Sequence, residues 1–353
     1  SGRELRIKLL SFLYRSSRYT VTHFIYFFQK ILFRPRDLET AVKIGDKVLG
    51  SFFILKKVIF EFPIPAGNDL DIYGLKFPSP LVGASFKADK NILDMWLQMG
   101  IGSIIFKTIM KEVRNGNPRP RLQEITMGGG TGIFNSLGLP GPGIKNFSNN
   151  IKDHILWDYN RPLGISIGGD SISDYIDNIH QIQRSLQNND HQYYYELNIS
   201  CPNTDNGQTI CEDPGALQNM LSLIRENISQ PISIKVSPDV SDSTLDEIGE
   251  VCRSFDQMII NTGNTHYKKI SEINLDESNF SMKGGGLSGT SIFNRTIEMV
   301  NIFSKFNMPI MATGGISEIE QVNRLKESGA ILFAMATSLV LDPYCIPRIN
   351  RQL

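Results

Sequence analysis

What most constrains this chain is a rhythm. Short apolar runs recur at 80–84, 101–106, 163–167, 193–200, 232–236, 258–261, 309–312 and 330–334. Stretches with helical spacing, at 91–99, 172–186, 215–228, 243–255, 291–306 and 318–327, separate most of them. Short, near-continuous apolar runs alternating with helices are how buried strands of a parallel sheet read. Eight of them predict an α/β chain folded as a (β/α)8 TIM barrel. A length of 353 residues leaves room for one such barrel and an extension. The expected division is a helical arm over 1–62 and a barrel over 63–353. A long, Gly- and Pro-rich insertion at 107–162 is expected to fold over the barrel mouth.

In barrels of this kind the active site lies at the C-terminal ends of the strands. The residues that follow each apolar run therefore form one candidate pocket. They are Ala84-Ser85, Lys107-Thr108, Ser166 to Gly169, Cys201, Lys235, Asn261 to Thr265, Thr313 to Gly315 and Ala336-Thr337. Small and polar residues fill nearly all of these positions, where a purely structural barrel could have used bulky ones. The fourth run ends at Cys201-Pro202, and proline cannot continue a strand ladder, so the thiol marks the exit from the sheet. Asn198 and Asn203 flank it, and carboxamides offer both donors and an acceptor to a flat, amide-like ligand. On position alone a buried, inert cysteine is an equal alternative, because free cysteines are commonly buried.

Gly314-Gly315 and Ala336-Thr337 follow the seventh and eighth strands, where many barrels hold a cofactor phosphate. A third glycine-rich stretch, 284–289, is expected to be a loop ahead of the helix at 291. Glycines let backbone N–H groups approach an anion closely. A G-x-G-x-x-G fingerprint is missing after the first strand, so a mononucleotide fits better than a dinucleotide. Lys235 lies in the strand Ile-Ser-Ile-Lys-Val, where a buried ammonium needs an anion or a partner carboxylate. A flavin edge that turns negative on reduction would serve; a salt bridge to an acid elsewhere in the chain is the alternative.

Formal net charge is zero, so no global field draws nucleic acid. The four cysteines form no C-x-x-C pair, which fits a reducing compartment and predicts no metal. Residues 1–36, however, carry eight Lys or Arg against the single acid Glu4. Val21, Phe24, Ile25, Phe28, Ile31 and Leu32 recur there at helical spacing. The apolar part is far short of the roughly 20 residues a spanning helix needs. A basic, aromatic-rich amphipathic helix predicts peripheral contact with a membrane; a helix docked on its own domain, in a cytoplasmic protein, is the plainer alternative. A second helical stretch is expected over 37–60.

Asn198-Ile-Ser-Cys-Pro-Asn203, Gly116-Asn-Pro-Arg-Pro-Arg121, Asn135-Ser-Leu-Gly-Leu139 and Thr313-Gly-Gly-Ile316 resemble motifs of the dihydroorotate dehydrogenases. The likeness runs from about residue 70 to 342. It implies an FMN-containing barrel that oxidises dihydroorotate to orotate in pyrimidine synthesis. By the same resemblance Cys201 is the base that removes the C5 proton. Lys107, Asn135, Ser136, Leu137, Gly138, Leu139, Asn198, Asn203, Asn264 and Thr265 match substrate-binding positions. Ala84, Ser85, Lys107, Thr108, Ser166, Asn198, Lys235, Gly263, Gly289, Gly314, Gly315, Ala336 and Thr337 match FMN positions. A cysteine base, Lys107-Thr108 and the 135–139 loop look like the class 1 enzymes. The helical arm and the stretch from Arg34 to Thr40 resemble class 2, in which the arm covers a quinone tunnel. The resemblance thus implies a quinone as acceptor, with fumarate or NAD as alternatives and a partner subunit open.

Two rival readings are a dihydrouridine synthase-like FMN barrel and a non-catalytic binding barrel. The first predicts a basic RNA-binding face, against which the neutral composition argues. The second gives no reason for Cys201 to be surrounded by Asn135, Asn198, Asn203 and Asn264.

Overall fold

The computed structural model of the chain describes residues 1–52, 54–200 and 209–353. Eight parallel strands close a barrel, and each hydrogen-bonds to its neighbours in sequence order. They are Leu81–Gly83, Ser103–Ile109, Leu163–Ile167, Tyr193–Asn198, Ile232–Val236, Met258–Thr262, Ile310–Thr313 and Leu332–Met335. All eight expected strands are present, with no end moved by more than three residues. Inside, Val82, Ile105, Tyr194, Ile259, Met311 and Leu332 form an apolar plug. The hairpin of Leu70–Ile72 and Leu75–Phe77 closes the lower end, and the Phe77 and Tyr194 rings lie 6.2 Å apart. The opposite end, where the strands finish, is the open one.

Between the strands, helices bury their apolar stripe against the outside of the barrel. Local chemistry sets where they begin. Asp89 accepts from Asn91 and Ile92 N–H ahead of Lys90–Met99, and Ser171 accepts from Asp174 N–H ahead of Ile172–Leu186. Asp213 does the same for Pro214–Arg225, and Ser241 for Asp242–Arg253. Such a cap is worth about 1 kcal/mol and fixes each helix start relative to the preceding strand end.

The 107–162 insertion holds a hairpin, Leu122–Met127 with Gly130–Asn135, and the helix Gly143–Ile151. One expectation needs correction. The stretch 284–289 is a strand, Gly284–Gly289, rather than a loop. It pairs antiparallel with Gly130–Asn135 on one side and His266–Lys269 on the other, making a four-stranded sheet beside the mouth. Its glycines are there for closeness of approach. A Cβ on Gly284 would meet Tyr267 Oη at 2.3 Å, one on Gly285 the Asn135 carbonyl oxygen at 2.5 Å, and one on Gly286 Thr265 Oγ1 at 2.1 Å.

The arm is a long helix, α1 (Gly2–Ile31), then α2 (Leu38–Ser51), with Asp37 capping α2. The expected single stretch over 37–60 is broken: α2 ends at Ser51, where Phe52 N–H turns onto the Leu49 carbonyl at 3.3 Å, and a separate short helix follows at Lys56–Ile59. One face of α1 docks on the barrel. Ser11 Oγ donates to Asp342 Oδ2 at 2.6 Å, Tyr14 Oη to the Val340 carbonyl at 3.1 Å, and Arg18 pairs with Glu124 at 2.8 Å. The other face leaves Phe12, Phe24, Phe27 and Phe28 exposed. Among the described residues no helix is long and apolar enough to cross a membrane.

Candidate active site

A cavity of about 1040 Å³ opens at the C-terminal end of the barrel, walled on one side by the four-stranded sheet. Its floor comes from strand ends. The first strand brings Ala84 and Ser85, the second Lys107 and Thr108, the fourth Asn198, and the fifth Lys235. Gly263, Asn264 and Thr265 follow the sixth strand; Gly314 and Gly315 follow the seventh; Ala336 and Thr337 follow the eighth. The 135–139 loop reaches in from the side with Asn135, Ser136, Leu137, Gly138 and Leu139, and Gly289 comes from the glycine-rich strand.

One residue of the expected set is placed otherwise. Ser166 is fully buried and does not line the cavity: its hydroxyl lies 2.8 Å from Thr108 Oγ1, behind the wall. Cys201 and Asn203 lie outside the described residues. The three other cysteines are buried and free. Burial pushes the Cys211 and Cys345 thiols up to about 12, and Cys252 higher still, which makes all three poor bases.

The polar side chains of the floor hold one another in place. Asn198 Nδ2 donates to Thr108 Oγ1 at 3.1 Å, and Ser200 Oγ donates to Asn198 Oδ1 at 3.0 Å. Asn264 Nδ2 donates in turn to Ser200 Oγ, while Asn264 Oδ1 accepts from Thr265 N–H at 2.8 Å. Carboxamides fixed this way present the same groups to every ligand molecule, which is what preorganised recognition requires. Ser136 Oγ, by contrast, is buried without a hydrogen-bond partner among the described residues, although its residue lines the cavity. Such a hydroxyl is free to bond a group that enters the cavity.

Four basic residues line the cavity, Lys107, Arg114, Lys235 and Lys283, and two of them, Lys107 and Lys235, stand at expected positions. Burial pulls Lys107 down to about 8, helped by the positive Arg121 nearby and opposed by Glu39. Lys235 donates to Ser85 Oγ at 3.3 Å. Among the described residues Lys235 makes no direct ion pair with a carboxylate; its hydrogen bond is to that serine. Ser85 Oγ passes the contact on, donating at 3.5 Å to the fully buried Glu196. Sequence reading missed Glu196, because in the run Tyr-Glu-Leu-Asn it looks like any alternating strand residue. The period-two spacing from Glu196 to Asn198 was the available signal, since it puts both on the inward face.

A second cavity, of about 830 Å³, lies between α1 and α2. Val21, Phe24, Ile25, Phe28, Leu32 and Ile44 make its wall largely apolar, with Gln29, Arg34 and Arg119 among its polar members.

A closed parallel barrel with anchored carboxamides and basic side chains around one deep cavity at its C-terminal face has the architecture of a barrel enzyme. A family model described as dihydroorotate dehydrogenase matches residues 69–353. The catalytic subunit of dihydroorotate dehydrogenase B (NAD(+)) from Malacoplasma penetrans is 29% identical over 294 residues, covering 80% of this chain and 90% of that protein. The Fusobacterium nucleatum protein of the same description is 30% identical over 290 residues, covering 79% and 90%. A chain of Aquifex aeolicus provisionally described as dihydroorotate dehydrogenase A (fumarate) is 28% identical over 282 residues, covering 78% and 88%. The chain belongs to the dihydroorotate dehydrogenase family and is an oxidoreductase.

Proposed function

We propose that this enzyme oxidises dihydroorotate to orotate with FMN as cofactor and Cys201 as base, and passes the electrons to a quinone. The observation that carries the reading is the convergence of Asn135, Asn198, Asn264 and Lys107 on one cavity beside the unpaired Ser136 hydroxyl. Dihydroorotate is a ring with imide N–H and C=O groups and one carboxylate. Carboxamides pair with such edges, and Lys107 meets the carboxylate.

The far side of the cavity suits a mononucleotide. Gly314 and Gly315 have φ of +126° and +79°, a backbone course open to glycine but strained for other residues. Together with Ala336 and Thr337 they would hold the phosphate, and Lys235 would face the N1–C2=O edge of the ring. When bound, FMN supplies the hydride acceptor. Asn198, which lines the cavity, would contact both ligands and so hold the substrate beside the cofactor. Cys201, three residues after Asn198 in the chain, takes the C5 proton as thiolate. The test is direct: the purified protein carries a flavin absorbance band that dihydroorotate bleaches. Colourless protein that takes up no FMN overturns the reading.

The apolar cavity between α1 and α2 supports a quinone acceptor, and the exposed aromatic face of α1 supports peripheral contact of residues 1–36 with a membrane facing a reducing compartment. A second reading, NAD with a partner subunit, is favoured by the similarity to B-type relatives, which are catalytic subunits of dihydroorotate dehydrogenase B (NAD(+)). Oxidising the reduced enzyme with a soluble quinone, fumarate and NAD⁺ in parallel separates the two.

A further inference from the structure

We propose that Glu39, on the arm, is a positioning residue for the substrate loop 135–139 and acts through Arg121. The inference rests on the reading of that loop as the dihydroorotate contact, and it makes the arm part of the substrate site as well as cover for a second cavity.

Arg121 is the hub. On one side its guanidinium makes a two-pronged pair with Glu39, Nη2 to Oε1 at 2.8 Å and Nε to Oε2 at 3.0 Å. Both side chains are about nine-tenths buried. Burial works against the Glu39 carboxylate, but Arg121 and Arg119 hold it below the usual range. On the other side Arg121 Nη1 donates to the carbonyls of Asn115 at 2.6 Å, Asn117 at 3.0 Å and Leu137 at 3.5 Å.

The two segments Arg121 touches are themselves locked together. Asn117 N–H donates to the Leu137 carbonyl at 2.9 Å, Asn117 Nδ2 to the Ser136 carbonyl at 2.8 Å, and Ser136 N–H to the Arg121 carbonyl at 2.9 Å. Gly116, at φ +78°, permits this contact: a Cβ there would sit 2.1 Å from the Leu137 carbonyl oxygen. Asn135 and Ser136 thus reach the cavity from a loop whose backbone is gripped by a guanidinium, and the arm fixes that guanidinium. A buried arginine without its carboxylate would reorient toward water and release the carbonyls it holds.

The same cluster touches the second cavity. Arg119 Nε lies 2.8 Å from Asp37 and 3.3 Å from Glu39, and both Arg119 and Asp37 line that cavity. Movement of α2 on the acceptor side therefore reaches the substrate loop through two ion pairs.

The test uses the full chain with its flavin and a soluble dye as acceptor, so that the second cavity does not limit turnover. For Glu39→Gln we expect KM for dihydroorotate and Kd for orotate, read by calorimetry, to rise about tenfold. Turnover at saturation should stay within about twofold of the parent, because the reacting groups are untouched. Glu39→Asp, which keeps the charge, should recover most of the affinity. Unchanged KM and Kd in Glu39→Gln overturn the proposal, and so does a loss of kcat, flavin content and thermal stability without a change in KM, which marks a folding role only. Asn135→Ala serves as the reference. If it leaves orotate binding intact, the reading of the loop fails; if it weakens binding and Glu39→Gln does not, this inference alone fails.

Discussion

Asn261 Nδ2 lies 2.8 Å from Oε2 of Glu196, deep inside the barrel and directly beneath the mouth cavity. Ser233 Oγ donates to the same oxygen at 3.3 Å, and Thr313 Oγ1 donates to Asn261 Oδ1 at 2.5 Å. Four strands are thus joined by one polar layer under the floor. A buried carboxylate whose hydrogen bonds come from neutral donors is tolerable only while all of them stay in place.

Removing that carboxylate leaves Asn261 and Ser233 as unpaired buried donors. Glu196→Ala should cost about 3–5 kcal/mol of stability, the range for breaking a buried polar contact and opening a cavity together. Denaturant unfolding, with the midpoint read against the parent, checks this. A shift no larger than that of a surface substitution would mean water replaces the side chain freely.

Lys107 sets a pH limit on substrate capture. Its ammonium is held down to about 8, and an anionic carboxylate binds the protonated form. Ligand binding therefore takes up a proton above that value, and affinity for dihydroorotate should fall as pH rises through about 8. Lys107→Met should lose about tenfold or more in orotate affinity, the scale of a charge-assisted hydrogen bond, and should flatten the profile. Orotate titrations between pH 6.5 and 9.5 decide it.

Cys201 should govern the other limb. A free thiol titrates near ~8.5, so flavin reduction should slow as pH falls below its pKa. Cys201→Ala should bind FMN and orotate yet reduce flavin at least about a hundredfold more slowly. Stopped-flow bleaching of the flavin band measures this without any acceptor. Unimpaired reduction would remove Cys201 from its assigned role.

Two faces of α1 can be tested separately. Phe12→Glu with Phe27→Glu changes exposed residues that do not line the second cavity, so folding stability should move by no more than about 0.5 kcal/mol each. Binding to anionic vesicles, followed by co-sedimentation, should be lost. Ile25→Glu puts a charge into the wall of the second cavity and should lower quinone-dependent turnover while dye-dependent turnover persists. Equal loss with both acceptors would assign the helix to folding alone.

The barrel itself was legible in the chain because its signals are local. Strands buried on both faces must be apolar along their length, and each must yield to polar or small residues where it meets the mouth, so Ala84, Thr108, Asn198 and Gly314 could be placed from position alone. The glycine-rich stretch shows where local reading stops. Gly284 to Gly286 look like a turn in isolation, yet they form a strand because Tyr267, Asn135 and Thr265, distant in the chain, occupy the space side chains would need. Glu196 is another such case, since only barrel closure brings Ser85, Ser233 and Asn261 around it. The pairing of Glu39 with Arg121 spans 82 residues of sequence. Periodicity and punctuation act between near neighbours and so determine the strands, the helices and the ring of residues at the mouth. Which buried charges meet, and which glycines stand under a neighbour's side chain, depends on contacts between remote segments, and those exist only once the chain has closed on itself.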